Sequence, residues 1–470
     1  MPAALVVPVA APLGALAVLS PAAAVAVVIG LGFVGIAVAS LAAGLALFTA
    51  LTFFALIPGI GSAVVSVVKV AGGVLLFSLG RKTGRPSLLR DHPLVGYLAL
   101  LFVAWTVASA VWAPDDTAVR GPVITLTLSV ILLFVVYAAV RQPREVRWLV
   151  RGYVSGAVLS AVVGPAITSP DDTDTARFSG SIGDPNVLAL LLVPGLALAF
   201  FALAGTRGAL ERALLLLGAC VIAVALFETG SRGGLVALAV AFGAALVLGG
   251  RLRGRVLVAL LVLATLGVGY YSLAAPQQVV DRVTDFTASG GSGRSDLWSV
   301  ATSVFHDHPL GGVGAGNFTV VQPAYAARTT NLPAVRLLVD DPHVVHNSYL
   351  ELLAELGIVG FALFLSVVGG ALALGSRAVR AFARAGDDEM ELVARGVLVG
   401  LSGMLAASFF LSFEYEKQLW LLLGLSATLS SVSGAAVRER RDRRLKRPLV
   451  ASGTALAPSS ARGCARPRSG

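Results

Sequence analysis

Charge, cysteine and methionine are scarce in this chain. Of its 470 residues only 13% are charged, and it has 2 cysteines, 3 methionines and 5 histidines. One cysteine lies inside an apolar run and the other near the C-terminus, which excludes a disulfide framework and a cysteine-based metal site. No charged residue precedes Lys69, so the chain lacks the basic start of a cleavable export signal. We expect its N-terminal segment to belong to a membrane domain.

Apolar residues dominate instead. They make up 56% of the chain, whose mean hydropathy is +0.85. Many apolar runs reach about 17 residues or more, long enough to cross a bilayer core of roughly 30 Å as a helix. The runs are apolar on every side and rich in Leu, Ala, Val and Gly, whereas strands of a membrane barrel alternate apolar and polar residues. The sequence therefore predicts an all-α, polytopic integral membrane helix bundle.

We predict about 12 to 14 transmembrane helices and one long extracytoplasmic loop. Three short spans are expected inside residues 3–57, although prolines there would also allow two helices and a re-entrant piece. The other predicted spans are 63–80, 94–112, 121–140, 145–165, 186–204, 210–227, 233–250, 254–274, 348–375, 393–412 and 417–435. Within the long loop, the sequence predicts an amphipathic helix near 295–305 and glycine turns at Gly312, Gly314 and Gly316.

Basic and acidic loops alternate along the chain. From Arg81 to the tail at Arg438–Arg447, every second loop after Pro58 is basic, and the loops between them carry acidic residues or the long segment after 275. Because arginine and lysine collect on the cytoplasmic side, the long loop is predicted to face outward from the cytoplasmic membrane. This topology accounts for the net charge of +10 without nucleic acid as a partner.

Four regions follow from this pattern. Residues 1–274 are predicted to hold the N-terminal transmembrane helices, and residues 275–347 an extracytoplasmic catalytic loop. Residues 348–436 would form the C-terminal transmembrane helices, and residues 437–470 a basic, disordered cytoplasmic tail.

Three polar islands interrupt the apolar sequence on the predicted outer side. They are Ser-Arg-Gly-Gly at 231–234, Gly-Arg-Ser-Asp-Leu-Trp at 293–298 and His-Val-Val-His-Asn-Ser-Tyr at 343–349. Ionisable residues beside a bilayer are costly, so they mark candidate functional sites. Arginine offers a permanently charged, forked donor that suits phosphate oxygens, and a neutral histidine suits proton transfer near pH 7.

The order of these motifs resembles that of the O-antigen ligase and polymerase family over about residues 175–365. The resemblance rests on Gly-Ser-Arg-Gly-Gly at 230–234, Gly-Arg-x-x-x-Trp at 293–298 and Gly-x-Gly-x-Gly-Asn-Phe at 312–318. It also rests on His-Asn-x-Tyr-Leu at 346–350, Glu-x-Gly-x-x-Gly at 355–360 and the segment from Phe178 to Asn186. The family transfers glycans from undecaprenyl pyrophosphate to a hydroxyl of a lipid, another glycan or a protein at the outer leaflet.

The resemblance implies roles for particular residues. Arg232 and Arg294 would bind the pyrophosphate, and His346 would orient the acceptor hydroxyl and take its proton. A helix that begins after Ser231 would also point free N–H groups at the anion. Further candidates for substrate binding are Arg177, Asn186, Trp298, Asn347 and Tyr349. No cofactor and no metal are expected, because the family needs no metal for catalysis.

Structural interpretations of the same residues remain open. Arg232 could lie at the headgroups, Arg294 could pair with Asp296 or Asp285, and His346 could contact only backbone. Ser348 and Glu351 fit a capping box. Trp298 and Tyr349 could be interfacial aromatics. A divalent metal site would have to combine Asp340, Asp341, His343 and His346.

The preferred hypothesis is that the protein is a multi-pass enzyme of cell-surface polysaccharide assembly. It would transfer or polymerise a glycan whose donor is linked to undecaprenyl pyrophosphate. A polyprenyl chain would need an apolar groove between helices. The alternative is a secondary transporter or a lipid-linked glycan flippase. Transporters place ionisable groups near the middle of the bilayer, however, whereas the polar islands lie at one face.

Overall fold

The computed structural model describes residues 21–54, 87–167, 177–284, 294–328 and 342–445. These residues form helices and turns, with no strand among them, which confirms the all-α class. Nine of their helices are long and apolar enough to cross a membrane, and three shorter apolar helices accompany them. The protein is therefore a multi-pass membrane protein. The predicted span at 63–80 and the tail beyond 445 lie outside the described residues.

The described ranges contain the following α-helices. In chain order they are α1 (Pro21–Ala39), α2 (Leu41–Leu51), α3 (Leu88–Asp91), α4 (Pro93–Ala108), α5 (Asp116–Ala139), α6 (Pro143–Ile167), α7 (Pro185–Gly205), α8 (Ala209–Glu228), α9 (Arg232–Leu248), α10 (Arg253–Leu273), α11 (Gln277–Thr284), α12 (Arg294–Asp307), α13 (Phe318–Arg328), α14 (Ser348–Ala385), α15 (Asp388–Ala407) and α16 (Lys417–Leu445).

Helix α7 lies at the centre of the bundle, packed against α15, α8, α9 and α6. Its sequence is apolar all round, as expected of a helix with neighbours on every side. Glycines of α15 allow the close approach: a Cβ at Gly403 would lie 2.6 Å from a methyl of Val193, and one at Gly396 would lie 2.9 Å from Phe201 Cβ. Small residues at such contacts are what holds membrane helices together.

Helix α14 is broken at Gly357, where φ is 64° and ψ is −169°. The sequence predicts one continuous helix over 348–375, but the structure contains two segments, and the second continues to Ala385. The turn at 309–316 fills the break. Val313 N–H donates to Ala354 O at 3.0 Å, and Ile358 N–H donates to Pro309 O at 2.9 Å. The loop therefore satisfies the backbone groups that the break leaves open.

Glycine is required on both sides of this junction. At Gly312, φ is 66° and a Cβ would lie 2.2 Å from the carbonyl carbon of Glu355. At Gly357 a Cβ would lie 2.2 Å from Leu310 O. The glycines at 312, 314 and 316 are thus turn residues, as predicted, and they fix the long loop between α10 and α14 onto the first segment of α14.

The long loop between α10 and α14 has a small core of its own. Helix α12 covers Arg294–Asp307, close to the predicted 295–305, and buries one face against the first segment of α14. The core consists of Leu297, Val300, Ala301, Val304, Val313, Phe318, Ala326, Val345 and Ala354. The polar motifs at its edges are therefore held by packed helices.

Helix α15 begins at Asp388, five residues before the predicted start at 393. The acidic residues there look like a loop in the sequence, but they lie in the first turns of the helix and form ion pairs. Arg395 Nη2 lies 2.6 Å from Glu391 Oε1, and Arg251 pairs with Asp388. Acidic side chains are favourable at a helix N-terminus, so the helix starts among them.

Candidate functional site

Two of the predicted residues, Arg177 and Asn186, are joined to Ser231 where α7 and α9 begin. Ser231 is the N-cap of α9, and its Oγ accepts a hydrogen bond from Gly234 N–H at 3.2 Å. The same hydroxyl donates to Asn186 Oδ1 at 3.0 Å. Arg177 Nη2 donates to Asn186 Oδ1 at 2.9 Å, and its Nε donates to Thr229 O at 2.8 Å. Asn186 therefore ties Arg177 to the N-terminus of α9.

Arg294 reaches the same place from the long loop between α10 and α14. It is the first residue of α12 and lines a narrow cleft together with Asn186, Ser231, Gly233, Gly234, Ala407, Phe410 and Leu411. Gly233 is needed there, because a Cβ would lie 3.0 Å from Phe410 Cβ. The cleft thus brings Arg294 to the start of α9.

Several positive charges act on one another in this region. Burial lowers the pKa of the Arg177 guanidinium to about 10, and the charges of Arg282 and Arg294 contribute, against an opposing effect of Asp184. The pKa of Arg294 is also lowered, first by burial and then by Arg282. Both guanidinium groups stay charged at neutral pH, so this region has a strong attraction for an anion.

His346 lies within electrostatic range of the same charges. Burial lowers the pKa of its imidazole below the ordinary 6.5, and the positive charge of Arg294 acts in the same direction. Asp184 opposes this shift, and His343 adds to it. At pH 7 the imidazole is therefore neutral. Its backbone has a φ of 53°, which is uncommon for a residue other than glycine.

Arg232 is the first residue of α9, directly after the Ser231 cap, and is partly buried. It does not line the narrow cleft that Arg294 shares with Asn186. The structure thus brings Arg177, Asn186, Arg294 and His346 into one region, with Arg232 at its edge.

An aromatic cluster borders this region. Trp298 and Phe409 have ring centroids 5.4 Å apart, and Tyr349 and Phe409 have centroids 6.4 Å apart. The Tyr349 hydroxyl donates to Leu405 O at 2.7 Å, which gives this side chain a packing role. The indole N–H of Trp298 is buried without a hydrogen-bond partner among the described residues. Trp298 is therefore the aromatic residue that keeps a donor available.

Asn347, and not Ser348, is the N-cap of α14. Its Oδ1 accepts from Tyr349 N–H at 3.0 Å and from Leu350 N–H at 3.2 Å. The capping box predicted for Ser348 and Glu351 is wrong, because the Ser348 hydroxyl donates to Leu411 O and Glu351 accepts from the Ser412 hydroxyl. The Nδ2 of Asn347 is buried and has no partner within the described part of the chain.

Two charged residues of this region were not predicted from the sequence. Arg282 lies in the last turn of α11, and Asp184 is the N-cap of α7, where it accepts from Asn186 N–H at 2.6 Å. Asp184 could have been found, since aspartate directly before Pro185 is typical of a helix start. Arg282 gives no such signal, because only the packing of α11 brings it near Arg177.

The residues for a metal site do not come together in what the structure describes. In the ranges from 21 to 445 that it covers, no group of three His, Cys, Asp or Glu residues could hold a metal ion. Asp340 and Asp341, which the metal hypothesis requires, lie outside those ranges.

An apolar cavity of about 530 Å³ lies between α7, α8, α9 and α10. It extends along α10 between Arg255 and Tyr270, which are at opposite ends of that helix. Phe227 lines the cavity at the Tyr270 end, and its carbonyl accepts a hydrogen bond from the Tyr271 hydroxyl at 3.0 Å. Thr229, which binds Arg177, follows two residues later. One end of the cavity is therefore next to the arginine cluster.

Part of the chain matches a model of a known protein family. Residues 213–365 match the family model described as O-antigen ligase, and this range includes Arg232, Arg294 and His346. No curated protein matches the chain. The match places the protein in the assembly of cell-surface glycans and confirms the resemblance drawn from the sequence motifs. Over residues 213–365, about a third of the chain, the protein is therefore similar to the O-antigen ligase family.

Proposed function

We propose that the protein transfers a glycan from undecaprenyl pyrophosphate to an acceptor hydroxyl, as a ligase or a polymerase, at the outer leaflet of the cytoplasmic membrane. The observation that supports this proposal is that Arg177 and Arg294 lie at the start of α9, with a neutral His346 within electrostatic range of Arg294. These groups supply the two functions that the reaction needs, a site for the leaving anion and a base.

The arginines would bind the pyrophosphate. Cleavage of the glycosyl–phosphate bond leaves negative charge on the leaving group, and forked guanidinium donors match phosphate oxygens. The N-terminus of α9 would add the positive end of a helix dipole, and its Gly234 N–H is bonded to the Ser231 cap. Arg232, beside the Ser231 cap, would contribute a further positive charge.

His346 would act as the base. The acceptor oxygen attacks the anomeric carbon, its proton moves to the imidazole, and the bond from that carbon to the phosphate oxygen breaks. The products are the new glycoside, undecaprenyl pyrophosphate and a protonated His346, which then loses its proton to water. A general base contributes about 10²- to 10⁴-fold, so positioning and charge stabilisation must supply the rest of the rate.

The apolar cavity would hold the polyprenyl chain. It is lined by side chains such as Leu196, Phe200, Ala223, Phe242 and Leu263, and it starts next to the segment that carries Arg177. A lipid whose tail lies there would place its pyrophosphate among the arginines. Trp298, Asn347 and Tyr349 would then lie near the sugars, and substrate binding would have to uncover the N–H groups of Trp298 and Asn347, which are buried without a partner in the described ranges.

The test is transfer by purified protein from a polyprenyl-pyrophosphate glycan to a glycan acceptor, with and without EDTA. The expected result is a longer or acceptor-linked glycan, with release of polyprenyl pyrophosphate in equal amount and no effect of EDTA. Movement of the intact donor across vesicles without cleavage would instead identify the flippase alternative and refute this proposal.

A further inference from the structure

The backbone at His346 adopts a conformation that must be maintained by its surroundings. Its φ of 53° makes it the one positive-φ residue other than glycine within the described ranges. The left-handed conformation is unfavourable for a residue with a Cβ, because the Cβ lies too close to the following carbonyl oxygen. Neighbouring groups must therefore hold the segment, and the same contacts decide where the imidazole points.

Ser412 and Glu351 form this support. The His346 N–H donates to Ser412 Oγ at 3.1 Å, and the Ser412 hydroxyl donates in turn to Glu351 Oε2. The Glu351 carboxylate also accepts the backbone N–H of Val345. One carboxylate thus binds the residue before His346 directly and His346 itself through a hydroxyl.

The geometry of Glu351 favours this role over a direct one. Its side chain is only 6% exposed and lies one turn into α14, where it faces the loop between α15 and α16. Its hydrogen bonds go to a backbone N–H and to a hydroxyl, and none goes to the imidazole. Glu351 therefore acts on the backbone that carries His346.

A nearby glutamate provides a comparison. Glu355 is also buried, but its carboxylate accepts the N–H groups of Gly316 at 2.8 Å and Phe318 at 3.2 Å. These hydrogen bonds hold the glycine turn, and neither of them comes from the segment before α14. The two glutamates share burial and helix position, and they differ in the loop that each one holds.

We propose that Glu351 and Ser412 are positioning residues that hold His346 in its left-handed conformation, so that the imidazole meets the acceptor hydroxyl beside Arg294. This inference rests on the proposed function of His346. It assigns to Glu351 a part in turnover that a helix cap would not have.

The test is a double-mutant cycle on purified protein, with a radiolabelled polyprenyl-pyrophosphate glycan and single-turnover measurements that resolve slow residual transfer. The single variants are Glu351→Gln, Ser412→Ala, His346→Ala and, as matched control, Glu355→Gln. Glutamine has one acceptor oxygen, so Glu351→Gln cannot accept both hydrogen bonds in the same way. Donor binding and thermal unfolding are measured for each variant.

Glu351→Gln and Ser412→Ala are expected to lower the turnover rate by about 10- to 100-fold, with donor affinity within about twofold of the wild type. Combined with His346→Ala, neither substitution should lower the residual rate further, because the base that they position is absent. The loss caused by Glu355→Gln should reappear in full in the His346→Ala background. If Glu351→Gln does not fold, Ser412→Ala carries the cycle, since it leaves the carboxylate in place.

Two results would overturn the inference. One is wild-type turnover by Ser412→Ala and Glu351→Gln, and the other is an equal loss with and without His346, which would mark a purely structural role. Wild-type turnover by His346→Ala is a different result, because it would refute the proposed base. If His346→Ala loses turnover while Glu351→Gln keeps the wild-type turnover rate, the positioning role of Glu351 would be refuted and the role of His346 as base would stand.

Discussion

Arg294→Ala tests the arginine cluster most directly. Arg294 begins α12 and lines the cleft with Asn186 and Ser231, while no acidic side chain in the described ranges forms an ion pair with it. Replacing Arg294 should therefore change the stability of the fold little, since α12 is anchored by its apolar face. The stabilisation of a ligand anion beside Arg294 should fall much more.

The magnitude follows from the type of contact. Removing one preorganised donor from a transition-state anion costs about 2.7 to 4 kcal/mol, or 10²- to 10³-fold in the rate constant. Burial of the Arg294 guanidinium, which is also the main cause of its lowered pKa, favours the upper part of this range. Arg294→Lys keeps the charge and loses the fork, so we expect an intermediate loss, about tenfold.

The assay is transfer from a polyprenyl-pyrophosphate glycan by purified variants of equal thermal stability. Arg328→Ala is the matched control, because Arg328 is an exposed arginine at the end of α13 in the same long loop between α10 and α14. It should transfer glycan at the wild-type rate. Wild-type transfer by Arg294→Ala, or an equal loss in Arg328→Ala, would show that Arg294 does not stabilise the leaving group.

Three other substitutions or conditions have defined outcomes. Turnover should fall on acidification only below pH 6.5, because the pKa of His346 is lowered from that value and the neutral base is lost when it is protonated. The pH–rate profile measures this fall, and a midpoint above pH 6.5 would contradict the prediction. Ala259→Phe should raise the KM for the donor, because the larger side chain fills the apolar cavity. Leu261→Phe is the control: Leu261 is on the same helix and 66% exposed, so the KM for the donor should not change. Gly357→Ala should lower the thermal midpoint by several degrees, since a Cβ there would lie 2.2 Å from Leu310 O, and an unchanged midpoint would refute the required break in α14.

Much of the fold could be predicted because it depends on composition. Apolar runs of membrane-spanning length determine helices, and the start of α9 at Arg232 follows from the Ser231 cap and the glycines after it. The break at Gly357 was missed because a glycine inside a long apolar run gives no local sign of a break. It becomes necessary only when the turn at 309–316 packs against it.

The same distinction applies to the candidate site. The motifs at 231–234, 293–298 and 343–349 single out Arg232, Arg294 and His346, because charged and titratable residues are rare in such a chain. The sequence offers no comparable signal for Arg282, and it suggests a helix cap for Glu351. Both assignments depend on which segments pack together.

The sequence alone determined the membrane class, the polar motifs and the chemistry that their side chains can perform, because these depend on residue type and on the length of apolar runs. Only the tertiary structure decided that Asn186 joins Arg177 to Ser231. The same is true of the contacts by which Ser412 and Glu351 hold His346, and of the turn at 309–316 that fills the break in α14. These contacts join residues that are far apart in the chain. Hydrogen bonds of this kind are set by how helices pack, and packing is a property of all the side chains together.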